Sequence, residues 1–330
     1  MAIIFMDGFD LYGNRGHVLT RGYQSVEGNP SSNARFGVGQ SWLTNGNGPL
    51  TFPLITALSA MTVGFAFSTV VAGNSGGTRI FSFKNGGTTV GVLGIDSTGA
   101  IRFARDTFGT NQFGITAPAL IAPSVWNYIE IEFTRHASAG VFNIYVNGAL
   151  VLSGTGLNTG AADVNTVQFS TDAGDRNIDD FYMVDTATRL GECRIDTLRP
   201  TADTATKGFT PNSGSNNFSR VSDATLDGDT SYNSATAPGA KDLFDISDLS
   251  VVPSAIFAVQ TILAARKDNT SPSQLCVDIK SGATSVRGGT KTLASSYSFY
   301  TDILPTDPAT SAAWTASAVN ALQLGYEILP

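Results

Sequence analysis

Glu130 and Glu132 stand two residues apart in the run Trp126-Asn-Tyr-Ile-Glu-Ile-Glu-Phe133. A strand period of two puts both carboxylates on one face, the arrangement from which acid–base or nucleophilic chemistry could start. The partners such chemistry needs are missing. The chain has two histidines, His17 and His136, both in loop-like stretches. Neither a Ser-His-Asp arrangement nor a histidine metal centre can be built around them. Hard cations ask for several oxygen ligands from clustered carboxylates and carbonyls. Acidic groupings occur at Asp7 and Asp10, at Asp179 and Asp180, and at Asp223, Asp227 and Asp229. Read as local structure, these aspartates cap turns and strand ends, and Asp227-Gly228 is a turn signal. Cys193 and Cys276 are the only cysteines. Both lie in strand-like segments and read as buried free thiols, and spacing alone does not specify a disulfide.

The elements that would carry these residues are short strands. Trp126–Phe133 alternates large apolar with polar side chains, the pattern of a half-buried strand. Val141-Phe-Asn-Ile-Tyr-Val146 follows, then Asn147-Gly148, a turn signal whose positions both need φ > 0, then Ala149-Leu-Val-Leu152. Further strands are expected near 3–5, 34–38, 62–69, 78–84, 89–95, 101–105, 127–134, 166–170 and 177–184. Val63, Phe65 and Phe67 share one face of their strand with small residues opposite, so that other face must lie against a neighbour. In the second half, Cys193–Leu198 alternates like a strand. Thr201–Gly239 is loop-rich, and Ile256–Ala265 is a near-continuous apolar strand. Leu275–Lys280, Thr284–Arg287, Tyr297–Ile303 and Leu324–Leu329 continue the β pattern. Ser311–Leu322 is the one good helix candidate, capped by Thr315 or Ser311. The fold class is all-β with two domains, residues 1–190 and 191–330.

Composition narrows the function classes. The 330 residues are 42% hydrophobic but only 14% charged, with a net charge of −7. Such a chain is globular rather than disordered, and without a basic stripe it has no footprint for nucleic acid. No apolar run approaches the roughly 20 residues of a membrane span. The start, MAIIFMDGFDLYG, is too short and too soon acidic for a signal peptide.

The order Trp126, alternating strand, loop, Ile144-Tyr-Val-Asn-Gly148, strand resembles the laminin-G and concanavalin-A-like lectin jelly roll. Asp7-Gly-Phe-Asp10 and Ile178-Asp-Asp-Phe-Tyr-Met-Val-Asp185 look like the two ends of that sandwich, whose first and last strands pair. The resemblance implies an N-terminal jelly-roll sandwich and a possible structural calcium held by Asp7, Asp10 and Asp179 or Asp180. It also implies a possible glycan contact by an aromatic side chain, for which Trp42, Tyr12 and Tyr23 are candidates. Trp42 also reads as a core residue, because it follows Phe36 and Val38 in an alternating stretch. Glycan hydrolases of this fold carry Glu-x-Asp-x-x-Glu on one strand. Here the middle Asp is absent and Arg135 occupies the second Glu position, so no enzyme is expected.

The second half carries Arg194-Ile-Asp-Thr-Leu-Arg-Pro-Thr-Ala-Asp203, Phe209-Thr-Pro-Asn-Ser-Gly-Ser-Asn-Asn-Phe218, Asp227-Gly-Asp-Thr-Ser-Tyr232 and Ala313-Trp-Thr-Ala-Ser-Ala-Val-Asn-Ala-Leu-Gln-Leu-Gly325. Their succession is similar to a module of tailed-bacteriophage virion proteins of the tail-fibre, head-fibre or decoration kind. That similarity implies a smaller C-terminal β-sandwich with one short helix. It also implies a non-enzymatic structural protein made in the host cytoplasm and placed on the virion. Its partners would be capsid or tail proteins, other copies of itself in a homo-oligomer, and a host-surface glycan. The alternative is a lectin-like adsorption protein that binds host polysaccharide.

Overall fold

The computed structural model describes residues 1–44, 48–70, 73–169, 172, 174–269 and 273–330. The chain divides into two compact units, Met1–Ile195 and Asp196–Pro330. Both are built almost wholly of antiparallel strands.

The first unit is a sandwich of an eight-stranded and a seven-stranded sheet. The eight-stranded sheet runs Ala149–Leu157, Gly140–Val146, Asn127–Thr134, Ala60–Thr69, Arg176–Val184, Ser41–Thr44 and Asn29–Ser31, with Ile3–Asp7 also on Arg176–Val184. The first and last strands do meet, with Ile3 opposite Val184 and Asp7 opposite Phe181. The seven-stranded sheet runs Gln112–Ile115, Ile101–Ala104, Thr88–Ile95, Thr78–Asn85, Val164–Phe169, Leu50–Leu58 and Ser25–Val26.

A seam of phenylalanines joins the two sheets. Phe65 stacks on Phe81 at 5.4 Å and meets Phe169 edge-on at 5.0 Å. Phe133 sits 4.8 Å from Phe83, and Phe142 sits 4.8 Å from Phe103. Such rings bury large apolar areas in geometries that suit their quadrupoles, so alternate residues of these strands are fixed inward.

The face of Ala60–Thr69 opposite Val63, Phe65 and Phe67 is covered, as its small residues require. A Cβ at Gly64 would stand 2.1 Å from the Tyr182 ring, so only glycine admits that ring. Ala66, Tyr128, Tyr182 and Val184 form a buried cluster there under Leu190 and Cys193.

Several sequence expectations fail for identifiable reasons. Residues 34–38 form a turn, with Phe36 and Val38 exposed; the buried charge of Arg35 dictates the local path (below). Cys193–Leu198 is not a strand, because side chains rather than a neighbouring strand take up its backbone groups. Leu50–Leu58 and Gln112–Ile115 are strands that the sequence pattern does not reveal. The expected strand end at Ser170 lies outside the described residues.

The second unit has a six-stranded sheet: Pro200–Lys207, Lys241–Ile246, Gln323–Leu329, Gln274–Ser281 and Thr284–Arg287, with Lys291–Thr292 also on Gln274–Ser281. Val259–Ala265 and Ser298–Leu304 pair separately. Val259, Leu263 and Leu304 from that pair pack on Val277 and Ile279 of the sheet, together with Trp314, Val319 and Leu322. The expected helix is shorter than its sequence pattern. It spans Ala316–Asn320, with the Thr315 side chain accepting from the Ala318 N–H as its N-cap. Both cysteines are free thiols.

Candidate functional site

Because Phe81, Phe83, Val167, Phe169 and Phe103 point into the seam, their neighbours along each strand point out of the seven-stranded sheet. Register then lines these neighbours up. Thr51 lies opposite Gln168, Gln168 opposite Ser82, and Ser82 opposite Val92; Val92 lies opposite Ala104 and Ala104 opposite Gln112. Lys84 and Thr166 face each other one step along, and Gly94 faces Arg102 on the other side. The result is a row in which Thr51, Gln168, Ser82 and Gln112 flank the apolar Val92 and Ala104; Thr51, Ser82, Val92 and Ala104 are buried, while Gln168 and Gln112 are half-buried.

Hydrogen bonds hold this row in shape. Gln168 Nε2 donates to Thr51 Oγ1 at 2.9 Å. Arg102 donates from Nε and Nη2 to Asp96 Oδ2 at 3.3 and 3.1 Å, and from Nη1 to Gln112 Oε1 at 3.3 Å. Asp96 also accepts from Thr98 and Ala100. Burial works against its charge, but these donors prevail and hold its carboxyl below the usual range. Partial burial and the like charge of Arg79 lower the Lys84 ammonium. An aromatic ring completes the face. Half-buried Phe108 lies over Gly94 and Gly77, and a Cβ at Gly94 would stand 2.5 Å from it. Asn111 Nδ2 donates to both Asp106 oxygens, at 2.8 and 3.1 Å, and pins the loop that carries Phe108. Planar donors and acceptors beside a ring suit a ligand with hydroxyl edges and an apolar face.

The residues singled out in the sequence sit elsewhere and do other work. Trp42 is fully buried, and its Nε1 donates to the Glu27 carbonyl at 2.8 Å. It is a core residue and offers no surface to a glycan. Tyr12 and Tyr23 are buried as well. Tyr12 packs edge-on to Trp42 at 6.4 Å, and both tyrosines donate to Asp7 Oδ2, at 2.6 and 3.1 Å. Asp7 Oδ1 accepts from the Phe9 N–H. Burial raises the Asp7 carboxyl against the pull of Arg21 and these donors.

The calcium set is not assembled as the resemblance implied. Among the described residues no group of three or more His, Cys, Asp or Glu side chains is placed to hold a metal ion. Asp7 is committed to its tyrosines. Asp10 accepts from the Gln40 N–H at 2.7 Å. Asp179 and Asp180 are organised by Arg35: the Arg35 N–H donates to Asp179 at 3.0 Å, and Nη1 donates to Asp180 at 3.0 Å and to the Cys193 carbonyl at 2.8 Å. Arg35 also pairs with Glu192 and lies 4.7 Å from the Tyr128 ring. Burial and the adjacent Asp180 push the Asp179 carboxyl up to about 8. In the second unit Asp223 and Asp227 both meet Ser231 Oγ, at 2.8 and 2.9 Å. Asp229 instead takes two donors from Arg266 and the Tyr297 hydroxyl.

Glu130 and Glu132 share one face and hold the segment that follows the last strand. Fully buried Glu130 accepts from Tyr182 Oη at 2.6 Å, the Gly191 N–H at 2.8 Å and Arg189 Nη1 at 2.9 Å. Glu132 accepts from Asn143 Nδ2 at 2.8 Å and the Arg189 N–H at 3.1 Å. Asp180 takes the Ile195 N–H at 2.7 Å. Residues 189–195 are thus strapped across the eight-stranded sheet by carboxylates. Beneath the strap, burial foremost pushes the Cys193 thiol up to about 12. Arg135 is equally structural, donating to the Ala162 and Val90 carbonyls. His136 Nδ1 accepts from the Ser138 and Ala139 N–H groups, and His17 Nδ1 accepts from the Gly13 N–H.

No family model matches this sequence. No curated protein sequence matches it either. Solved structures similar to this chain include the binding domain of botulinum neurotoxin DC in complex with SialylT, at 13% identity and TM-score 0.38, covering 93% of this chain and 94% of that one. The CBM40 of Ruminococcus gnavus IT-sialidase, bound to alpha2,3 sialyllactose, is 16% identical with TM-score 0.32 and covers 45% of this chain and 93% of its own. The heptameric SAP-like pentraxin of Limulus polyphemus is 15% identical with TM-score 0.32, covering 43% and 71%.

Proposed function

We propose that this chain is a non-catalytic glycan-binding protein that works through the outward face of its seven-stranded sheet. The observation that carries this reading is the register that brings the half-buried Gln168 and Lys84 onto one outward face, over the buried Ser82 and Thr51. On the same face Arg102 is tied to Asp96 and Gln112 beside the Phe108 ring. Saccharide hydroxyls would exchange hydrogen bonds with the amides and the guanidinium, and the apolar side of a sugar ring would lie against Phe108. A catalytic reading has less to draw on: the two glutamates on one face are consumed in holding residues 189–195, and both histidine rings accept from nearby backbone N–H groups, His17 from within the short helix Arg15–Thr20. No cofactor enters the reading.

The finer proposal places the protein on a phage virion. There it would contact capsid or tail neighbours, repeat as a homo-oligomer because the particle repeats, and present this face to host-surface glycans. Support for that placement comes from the ordered motifs between Arg194 and Gly325. Antibody labelling of purified particles in the electron microscope, followed by a screen against host surface polysaccharides, tests both parts. Label on the particle together with polysaccharide binding is expected. Particles without label would contradict the virion placement, and silence across the screen would contradict glycan binding.

A further inference from the structure

The outward face of the seven-stranded sheet carries more positive charge than its own acids offset. Arg102 is balanced by Asp96, 3.1 Å away. Half-buried Lys84 has no such partner. Among the described residues no ion pair includes it, and the charge that acts on it is that of Arg79, of the same sign. Water can hydrogen-bond an ammonium in that setting but does not neutralise it, and partial desolvation beside a like charge disfavours the charged form. Arg79 has one carboxylate, Asp172, and holds it loosely: Nε lies 3.9 Å from Oδ2, with the two side chains 42% and 48% exposed. An exposed pair of that kind contributes little. Lys84 and Arg79 thus share one carboxylate, which leaves one positive charge over in a chain whose net charge is −7.

Register sets this charge beside an amide. Lys84 lies opposite Thr166, and Gln168 follows two residues along the same strand, facing the same way. Gln168 is therefore the diagonal neighbour of Lys84, and such neighbours stand about 7–8 Å apart. One group with two oxygens can bridge side chains at that spacing. Gln168 Nε2 gives one N–H to Thr51 Oγ1 at 2.9 Å. An amide nitrogen carries two, so the second is left for a ligand. Arg79 borders the other end of the face, opposite Gly94, the glycine beneath the Phe108 ring.

We infer that the glycan bound by this face is an acidic one, a saccharide whose carboxylate pairs with the Lys84 ammonium and accepts the second N–H of Gln168. The inference rests on the glycan-binding reading of the same face and adds to it the class of sugar. One positive charge in excess matches one carboxylate. Hydrogen bonds between charged partners are shorter and stronger than neutral ones, so the acid group would fix the position of the saccharide while Phe108 takes the apolar side of a ring.

The test is a titration of the full chain, and of Lys84→Gln and Lys84→Arg, against an array of bacterial surface polysaccharides, some uronate-bearing and some neutral. Each polymer that binds is tested again after its carboxylates have been reduced to alcohols. The parent should bind uronate-bearing polymers, and more weakly as ionic strength rises. Carboxyl reduction and Lys84→Gln should each weaken that binding roughly 10–100-fold, as expected for one lost hydrogen bond between charged groups. Lys84→Arg should keep most of it, and both variants should unfold within a few degrees of the parent. Neutral polymers bound as tightly as acidic ones, or binding that survives both carboxyl reduction and Lys84→Gln, would overturn the inference while leaving glycan binding in place. Silence across every polymer would overturn the glycan reading itself, and this inference with it.

Discussion

Replacing Glu130 by alanine should release the strap at residues 189–195 while leaving the sandwich assembled. The carboxylate takes three donors at 2.6–2.9 Å. Its loss strands the buried Tyr182 hydroxyl and the Gly191 N–H, each costing about 1–3 kcal/mol. The Arg189 side chain is about a third exposed and can rehydrate, so the ion pair adds less than the roughly 3–5 kcal/mol of a fully buried pair. The two stranded groups make about 2–6 kcal/mol, with a smaller contribution from the ion pair. For a unit of this size that is a drop in Tm of roughly 4–24 °C. Calorimetry gives the magnitude, and hydrogen exchange gives the place. Exchange should accelerate at 189–195 and stay slow in Ala60–Thr69 and Thr78–Asn85, which lie in the phenylalanine seam. A loss below about 1 kcal/mol, or acceleration spread evenly over the sandwich, would refute the reasoning.

Other consequences follow from the same geometry. Cys193, with its thiol raised to about 12 under the strap, should resist alkylation at pH 8 in the native protein and react faster in Glu130→Ala; equal rates would contradict the strap. Trp42→Ala should cost about 3–5 kcal/mol by opening the core between Tyr12 and the Glu27 carbonyl, read by denaturant unfolding; near-neutral stability would contradict its burial. Asp179 has a folded pKa raised to about 8, above its unfolded value, so the folded state holds the extra proton. Its contribution is present at low pH and is lost as pH rises from about 4 to 8. Asp179→Asn should therefore flatten the fall in stability between pH 5 and 8, and an unchanged slope would count against the assignment.

What could be read from the sequence followed the strength of local signals. Asn127–Thr134 was legible to the residue, because its alternation coincides with burial on one face and a polar row on the other. The meeting of Ile3–Asp7 with Arg176–Val184 was legible through the two acidic end motifs, although those aspartates serve tyrosines and Arg35. Phe36 and Val38 misled, since their alternation matches a strand while the Arg35 salt bridge decides the turn. Leu50–Leu58 was hidden by Pro53, which interrupts a strand pattern. Cys193–Leu198 alternates, but its N–H and C=O groups are claimed by Asp180 and Arg35. The polar face left no local signature. Ser82, Lys84, Arg102 and Gln168 each look like ordinary outward residues, and only the pairing register of distant strands puts them side by side.

Glycan binding by that face is tested most directly by titrating the intact protein on an array of bacterial surface glycans beside the double variant Lys84→Ala/Gln168→Ala. These two side chains point away from the phenylalanine seam, so the variant should keep the parent's unfolding midpoint within a few degrees. Binding to a defined subset of glycans that falls at least tenfold in the variant is the expected result. Binding that survives in the variant, or an array on which the folded parent binds nothing, would contradict the assignment.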